Sequence, residues 1–439
     1  MEVQIISRKL ITPSSPTPPH LQNLKISSVD QHAPYVYVPT IFYYAANGEE
    51  YDVKNAEKSL QMQNSLSEIL ALYYPFAGRC AKDDPCIECN DKGAEFLEAQ
   101  VNGSLSQLFG DRELETNLNS HLAPHYFDPS NSSPLAVQFN MFECGGIAIG
   151  ISLTHKIADA FTVFTFINAW TTASRFGVDQ VPCPSFELAS IFPPRAASRV
   201  ENIVTIKAAT NNIVTKMFVF DGVAISKLKE ATNFSASGSH QSLNYQGTRV
   251  KVVIALIWRC LMRLSQARHG CMRPSLMKVP VNLRGKIPQP IPENSCGNLI
   301  SWAVAQFKPG DESEVKLHEL VSRINSGIEN AFSNYSKATS DDELFFLVMD
   351  GFRKVSKALI ENEVDVYMFG CWCRFPMYEA DFGWGKPTLV CGGNSQVPRE
   401  CIRLFDTKDG YGIEAIVSLE ENKMLLFQQD PDILAFSTS

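Results

Sequence analysis

The strongest constraint on the fold is a change of hydrophobic period between residues 135 and 170. Apolar residues occupy every second position on both sides of a turn at Cys144-Gly-Gly146, namely Leu135, Val137, Phe139, Met141, Ile147, Ile149, Ile151 and Leu153. Period two is the spacing of a strand, so the pattern predicts a β-hairpin. From Ala160 to Trp170 the chain is apolar on nearly every side, which predicts a helix buried against a sheet. Residues 155–159 join strand to helix.

The rest of the chain repeats this mixture of helix and strand signals. Helices are predicted at 52–74, 222–232, 248–268 and over most of 311–361, and strands at 214–220, 276–283, 298–307 and in short pieces between 80 and 101 and after 370. Prolines and the lack of a sustained period make 178–215 a linker candidate. At about 150 residues per domain, the 439 residues predict two or three compact units. With the linker, the order of elements predicts an N-terminal lobe at 1–190, a crossover linker at 191–215 and a C-terminal lobe at 216–439.

Charge and hydropathy exclude two classes of partner. With 39 Lys+Arg against 47 Asp+Glu, the formal net charge of −8 has the wrong sign for a protein that neutralises nucleic-acid phosphates. Apolar runs such as Val252–Trp258 are far shorter than the roughly 18 to 20 residues that span a bilayer. The N-terminus has no apolar run before a cleavage site, and the C-terminus has no lipidation box. We expect a cytosolic chain that binds neither nucleic acid nor membrane.

The cysteines and the missing motifs narrow the chemistry further. The 12 cysteines are scattered and often lie in apolar runs, which is typical of reduced thiols in a reducing compartment. Cys86-Ile-Glu-Cys89 has no second CxxC or His pair at zinc spacing, so we expect no metal site. The chain also lacks GxxxxGK[ST], GxGxxG after a strand, GxSxG and HExxH. The usual markers of phosphate transfer, dinucleotide binding, nucleophile-elbow hydrolysis and zinc proteolysis are therefore missing.

The most suggestive residues are His155-Lys-Ile-Ala-Asp159, where the hairpin ends and the buried helix begins. An imidazole at the mouth of an apolar core can titrate near neutrality and accept a proton from an alcohol, as a general base does. His155 could instead cap the strand or satisfy a buried carbonyl. Asp159 could orient the imidazole, or it could cap the helix that starts at residue 160. We favour a structural Asp159.

Together with Asp381-Phe-Gly-Trp-Gly385, this segment resembles the paired HxxxD and DFGWG signatures of the BAHD acyltransferases. These plant enzymes transfer acyl groups from coenzyme A thioesters to alcohols or amines. Further matches follow in the family's order and spacing, from about residue 4 to 427, at Tyr73–Arg79, Val281–Arg284, Gly297-Asn298, Trp372–Arg374, Tyr378 and Asp381. Three segments resemble most the branch containing vinorine synthase and other alkaloid or terpenoid O-acetyltransferases, namely Ser14–Pro18, Phe142–Gly146 and, again, Trp372–Arg374.

The resemblance implies a role for each matching residue. His155 is the implied general base, which takes the acceptor's hydroxyl proton as the oxygen attacks the thioester carbonyl, without an acyl-enzyme. Asp159 matches a structural residue that pairs with the Arg of an NxR motif, here Arg284. The DFGWG residues match a structural lock remote from the base, and its tryptophan is expected to pack in the core; they are Asp381, Gly383, Trp384 and Gly385.

Two further sets of contacts follow from the resemblance. The indole N–H of Trp372 is a possible oxyanion donor, although the Ser or Thr that precedes this Trp in many relatives is absent, since the neighbours are Gly370 and Cys371. Coenzyme A contacts are expected from the second lobe. There Thr248 opens a helix whose N-terminus favours a phosphate, and the nearby cations Arg249 and Lys251 add charge.

The resemblance also implies the architecture and the activity. The expected α/β fold has two similar mixed-sheet lobes, like chloramphenicol acetyltransferase, with a channel between them that reaches His155 from both faces. The implied reaction transfers an acyl group, acetyl in the first place, from acyl-CoA as co-substrate to a hydroxyl of an alkaloid or terpenoid. The enzyme is expected to be a monomer without a bound cofactor. The alternatives are an N-acyltransferase on a polyamine or aryl amine, and a catalytically silent relative that binds small molecules.

Overall fold

The computed structural model describes the chain except for residues 47–50, 82–85, 111–117, 126, 129–130, 196–211, 233–246, 311–314, 339, 362, 394–398 and 439. The chain divides into two compact units. The first consists of Met1–Val200, Ile291–Leu299 and Phe375–Val397, and the second of Glu201–Pro290, Ile300–Arg374 and Pro398–Ser439. Each unit is therefore assembled from three separate stretches of sequence.

The secondary structure alternates between strands and helices throughout. The strands are β1 (Val3–Ile11), β2 (Asn23–Lys25), β3 (Tyr37–Tyr44), β4 (Arg79–Cys80), β5 (Cys86–Glu88), β6 (Ala94–Val101), β7 (Leu135–Phe142), β8 (Ile147–Thr154), β9 (Ile213–Phe220), β10 (Ser275–Asn282), β11 (Ile300–Phe307), β12 (Asp365–Cys371), β13 (Leu389–Gly392), β14 (Cys401–Asp406) and β15 (Ile413–Glu420). The helices are α1 (Tyr51–Leu72), α2 (Leu105–Gly110), α3 (Ala160–Phe176), α4 (Leu188–Ile191), α5 (Gly222–Thr232), α6 (Arg249–His269), α7 (Leu317–Tyr335), α8 (Asp341–Glu361), α9 (Glu421–Phe427) and α10 (Pro431–Phe436). Within the described residues, no helix is both long and apolar enough to cross a membrane.

The first unit is built on a six-stranded mixed sheet with the order β1-β6-β7-β8-β3-β13. Strands β6 and β7 run parallel, and the other neighbours are antiparallel. Strands β3, β7 and β8 lie in its interior and are buried at almost every position. Both of their faces are covered, and the sequence of β3 accordingly shows no alternation of apolar and polar residues. A smaller sheet has the order β2-β5-β4.

The hairpin of β7 and β8 and the helix after it set the geometry of the loop between them. The register runs from Leu135↔Leu153 to Met141↔Ile147, and Gly145 occupies the turn with a φ of 78°. Helix α3 follows the hairpin and packs against α1. It ends at Gly177, whose φ of 92° is a conformation that glycine adopts without a steric penalty. Residues 155–159 are therefore a short connection between two buried elements.

The second unit has its own six-stranded mixed sheet, in the order β11-β10-β12-β14-β15-β9. The pairs β10–β12 and β12–β14 are parallel, and the others are antiparallel. Helix α6 is the central helix, with every residue from Val252 to Trp258 at most 1% exposed. Helix α7 packs against both α6 and β11, and α8 packs against β11.

The predicted mixed α/β fold with two mixed-sheet units is confirmed. The helix predicted at 222–232 has those bounds, and the helix predicted at 52–74 spans Tyr51–Leu72. Strand β3 was not predicted. Helices α9 and α10 lie where only short strands were expected.

The structure corrects the position of the DFGWG segment. The sequence assigned residues 216–439 to a C-terminal lobe, but Phe375–Val397 belongs to the first unit. The cause is β13, which pairs antiparallel with β3 from Leu389↔Tyr43 to Gly392↔Thr40 and extends the first sheet by one strand. The linker at 191–215 stays a prediction, since 196–211 lie outside the described residues.

Candidate active site

His155 lies in the loop that joins the end of β8 to the start of α3. Its main-chain N–H donates to the carbonyl of Val36 at 2.8 Å, which continues the pairing of β8 with β3 by one residue. The four residues that follow are all buried, at 5% exposure or less, whereas His155 itself is half-buried. A buried strand and a buried helix thus hold the loop, and the histidine is its most accessible member.

Asp159 is the N-cap of α3. Its Oδ1 accepts hydrogen bonds from the Thr162 main-chain N–H at 2.9 Å and from the Thr162 hydroxyl at 3.0 Å. Its Oδ2 accepts from the main-chain N–H of Leu299 at 3.1 Å. An N-cap carboxylate satisfies an otherwise unpaired helix N–H. The carboxylate therefore ties the start of α3 to the segment at 297–299, in agreement with the structural interpretation of Asp159.

The segment Gly297–Leu299 is the second support of the loop. The Asn298 side-chain amide donates from Nδ2 to the main-chain carbonyl of His155 at 2.7 Å and to Asp30 Oδ1 at 2.8 Å. The main-chain N–H of Gly297 donates to the hydroxyl of Thr162 at 3.0 Å. Asp30 and Asn298 are 4% and 2% exposed, so this network is shielded from water. The sequence pattern identified Gly297-Asn298 only as a family match, and it gave no signal for Asp30.

Lys156, next to the histidine, is buried and points at the N-terminal segment. Its Nζ donates to the carbonyls of Gln31 at 2.9 Å and Ala33 at 3.3 Å, and lies 4.6 Å from the ring centroid of Tyr35. Burial lowers the pKa of this ammonium, and the nearby Asp30 carboxylate opposes that shift. No sequence pattern marks Lys156, since nothing in its neighbours distinguishes it from a surface lysine.

The DFGWG segment is held by hydrogen bonds between side chains and main-chain groups within the first unit. Asp381 Oδ1 accepts from the N–H groups of Gly383 at 2.8 Å and Gly385 at 2.9 Å. The carbonyl of Phe382 accepts from the side chains of Gln61 at 2.8 Å and Ser174 at 2.9 Å. These contacts are what a structural lock requires.

The expectation that Trp384 packs in the core needs a correction. Trp384 is half-buried and stacks on Phe382 with ring centroids 5.6 Å apart, whereas Phe382 itself is fully buried and contacts Trp170. Phe382 is therefore the core aromatic of this segment, and Trp384 covers it.

Trp372 lies in the second unit, directly after β12. Its main-chain N–H donates to the carbonyl of Leu404 at 2.8 Å, and its half-buried ring is 5.5 Å from that of Phe405. The thiol of Cys373 hydrogen-bonds to that of Cys371 and lowers the pKa of Cys371, against the effect of burial. The backbone of Trp372 is therefore held to β14, and its role as an oxyanion donor stays a prediction.

The residues expected to contact coenzyme A lie at the start of α6. Thr248 is the N-cap, with its hydroxyl accepting from the N–H of Lys251 at 3.4 Å. Arg249 pairs with Asp406 at 3.1 Å and donates to carbonyls of the loop at Gly410 and Gly412. Burial lowers the pKa of Lys251. The negative charge of Glu329 opposes this shift, and the positive charge of Arg374 adds to it. Arg249 is thus engaged in holding a loop.

Arg284, the expected partner of Asp159, follows β10. Its main-chain N–H and its guanidinium both donate to Asn282 Oδ1, at 3.0 and 3.2 Å. Arg284 and Asp159 belong to different units, so their pairing stays a prediction.

Within the described residues, one group has the composition of a metal site: Cys260, Asp430 and Asp432 in the second unit. Arg263 donates to Asp430 at 2.9 Å, and Arg259 pairs with Asp432 at 2.7 Å. These arginines already neutralise the carboxylates that a cation would need, so the arrangement is an ion-pair network between α6 and α10.

Comparisons with known proteins identify the family of this chain. The family model described as "Transferase family" matches residues 1–434. Akuammiline synthase 1 of Alstonia scholaris is 36% identical over 440 residues, covering 99% of this chain and 98% of the relative. Acetyl-CoA-benzylalcohol acetyltransferase of Clarkia breweri is 34% identical over 442 residues, covering 99% and 100%. The crystal structure of vinorine synthase matches with a TM-score of 0.79 at 31% identity, over 100% of this chain and 99% of that one. The chain therefore belongs to the Transferase family, the BAHD acyl-CoA-dependent acyltransferases.

Proposed function

We propose that this enzyme transfers an acetyl group from acetyl-CoA to a hydroxyl of an alkaloid or terpenoid alcohol, with His155 as the general base. One observation carries the proposal. The main chain of His155 is held on both sides, through its N–H by Val36 and through its carbonyl by Asn298, while the histidine remains the most accessible residue of its loop. The name of the benzylalcohol acetyltransferase, which specifies acetyl-CoA and an alcohol, supports the same donor and acceptor chemistry.

In the proposed reaction the imidazole of His155 accepts the proton of the acceptor hydroxyl as its oxygen attacks the thioester carbonyl carbon. Collapse of the tetrahedral intermediate breaks the carbon–sulfur bond, and the thiolate of coenzyme A leaves with the proton returned by the imidazolium. Because the acceptor oxygen attacks directly, no acyl-enzyme forms. The indole N–H of Trp372 donates to the oxyanion in this scheme.

The other predicted residues support the site in this proposal. Asp159 keeps the loop in place through its three hydrogen bonds to Thr162 and Leu299, and its partnership with Arg284 adds a charge pair. Asp381, Gly383, Trp384 and Gly385 act as a structural lock. At the start of α6, we assign the binding of a coenzyme A phosphate to Lys251 and to the helix N-terminus at Thr248. Arg249 is left out because it already pairs with Asp406.

The cellular setting is proposed from composition. The scattered cysteines favour the reducing cytosol, and the resemblance to the family implies a monomer. The acceptor class rests on the resemblance of the motifs to alkaloid and terpenoid O-acetyltransferases.

The test is release of free coenzyme A thiol from acetyl-CoA by the purified enzyme, with a panel of hydroxylated alkaloids, terpenoid alcohols, simple alcohols and polyamines. We expect acceptor-dependent release that disappears in His155→Ala and is lowered in Asp159→Ala. The matched control is His20→Ala, because His20 is exposed and lies outside the loop. Full activity of His155→Ala would contradict the mechanism, and release with amines alone would favour the N-acyltransferase.

A further inference from the structure

A buried carboxylate in the N-terminal segment reaches the catalytic loop through one side chain. Asp30 Oδ1 accepts from the main-chain N–H of Asn298 at 2.7 Å and from its side-chain Nδ2 at 2.8 Å. The same Nδ2 donates to the main-chain carbonyl of His155 at 2.7 Å. A single amide nitrogen thus joins the carboxylate to the carbonyl of the proposed base.

The carboxylate is itself held firmly. Its other oxygen, Oδ2, accepts from the Ser27 hydroxyl at 2.7 Å and from the Ser27 main-chain N–H at 3.2 Å, and the Asp30 N–H donates back to the Ser27 hydroxyl at 3.0 Å. Burial raises the pKa of Asp30, and the hydrogen bonds from Ser27 and Asn298 act in the opposite direction. Four donors that converge on one carboxyl are matched to its ionised form, which is acceptor-only.

The segment at 297–299 passes so close to Asp30 that these side chains have little space for another arrangement. Gly297, which precedes Asn298, has a φ of +121°, and a Cβ at this position would lie 2.7 Å from Leu188 and 3.3 Å from Asp30 Oδ2. The glycine therefore permits the chain to approach the carboxylate closely. Lys156, the residue after the histidine, donates to the carbonyls of Gln31 and Ala33, which both follow Asp30 closely in the sequence.

We propose that Asp30 is a positioning residue for His155. Its carboxylate fixes the orientation of the Asn298 amide, which holds the main-chain carbonyl of His155 and thereby sets the direction of the imidazole. The proposal rests on the proposed role of His155 as the base. It assigns to the segment at 27–33 a function in catalysis, although Asp30 itself acts only through Asn298.

The first test is Asp30→Asn, which keeps the shape of the side chain and removes the charge. An asparagine cannot accept from all four donors, so the Asn298 amide loses a fixed partner. We expect kcat to fall about ten- to a hundredfold, because small misplacements of a reacting group have effects of that order. The KM for acetyl-CoA should stay unchanged, since Asp30 has no part in binding the donor.

The matched control is Asp91→Asn. Asp91 also binds a distant segment, because its two carboxylate oxygens accept from the main-chain N–H of Thr17 at 2.8 Å and from the Thr17 hydroxyl at 2.6 Å. Asp91 does not take part in the network that holds residue 155. We expect a similar change in thermal stability and an unchanged kcat. Equal losses of kcat in both variants would overturn the proposal, because they would mean that Asp30 only stabilises the fold.

A double-mutant cycle then tests whether Asp30 acts through Asn298. In an Asn298→Ala background, Asp30→Asn should produce no further loss of kcat. Additive losses would overturn the proposed route. Asn298→Ser replaces Asn298→Ala if the alanine variant does not fold.

A readout that needs no turnover separates this proposal from the proposed function. The ring signals of ¹³C-labelled histidine can be followed by NMR, and the signal of His155 among the 8 histidines is the one that disappears in His155→Ala. We expect Asp30→Asn, and not Asp91→Asn, to shift this signal. A shift in an enzyme that acylates no acceptor would support the positioning and reject the proposed function. An unmoved signal would reject the positioning whatever the activity.

Discussion

Lys278 is a lysine in the interior of the second unit. It lies on β10 at 5% exposure, with its Nζ 4.2 Å from the ring centroid of Trp302. Burial, followed by the positive charge of Arg399, lowers the pKa of this lysine to about 7 from its ordinary 10.5. The attraction between the ammonium and the indole ring offsets only part of the desolvation.

The low pKa of Lys278 makes a prediction about stability and pH. Between about pH 7 and 10.5 the unfolded chain binds a proton at this site that the folded chain does not, so stability should rise with pH across this range. Lys278→Met should therefore raise the free energy of unfolding by a few kcal/mol at neutral pH, and the gain should shrink as the pH approaches 10. Urea unfolding at several pH values measures this. The exposed Lys337→Met is the control, expected to have no effect, and a gain independent of pH would contradict the argument.

The residues of the site differ in how far the sequence reveals them. His155 and Asp159 share a short motif between a strand pattern and a helix pattern, so both could be predicted together with the capping role of Asp159. Asp30 could not, because its partner Asn298 is 268 residues away and no local pattern marks a carboxylate that will be buried. The same holds for Lys278, since a lysine within a strand pattern is ordinarily read as a solvent-facing position.

At the scale of elements, a helix or strand could be predicted where its apolar residues recur at a regular spacing. The β7–β8 hairpin was predicted from alternation and its glycine turn. Strand β3 was missed because it lies between β8 and β13 and is buried on both faces, so its sequence Tyr37–Tyr44 shows no alternation. Helix α10 does carry a local sequence signal, since Asp430 caps it and Pro431 is its first residue, a combination that marks a helix start.

The turn of the DFGWG segment makes a prediction at this scale. Gly383 has a φ of +117°, and a Cβ there would lie 3.2 Å from the Gln61 amide that holds Phe382. Gly383→Ala should lower the free energy of unfolding by about 1–3 kcal/mol, because a side chain rarely adopts this conformation. Chemical unfolding measures the change. Gly310→Ala is the control, since Gly310 has open space and no positive φ, and equal effects of the two would contradict the interpretation.

At the scale of the whole molecule, the first unit depends on chain that follows much later in the sequence. Ile291–Leu299 supplies the donors to Asp30 and Asp159, and Phe375–Val397 supplies strand β13. Sequence patterns describe local periodicity, so they predicted two consecutive lobes and could not show that the chain returns twice to the first. The order of the elements is readable from the sequence, whereas their assignment to a sheet depends on pairing between distant strands.

Because the first unit includes two segments from later in the chain, a fragment that ends at residue 200 should not fold on its own. Residues 1–200 alone contain His155 and Asp159. They lack the Leu299 N–H that donates to Asp159, the Asn298 amide that donates to Asp30, and strand β13, which pairs with the outer edge of β3. Buried carboxylates would lose partners, which is strongly destabilising, and β3 would become an exposed apolar edge that favours aggregation. We expect the fragment to aggregate or to unfold without a cooperative transition, and co-expression with residues 201–439 to restore a soluble complex, because that fragment carries both missing segments. Thermal unfolding and size-exclusion chromatography test this. A monomeric 1–200 fragment that unfolds cooperatively would mean that these two segments are accessories to the first unit rather than part of its core.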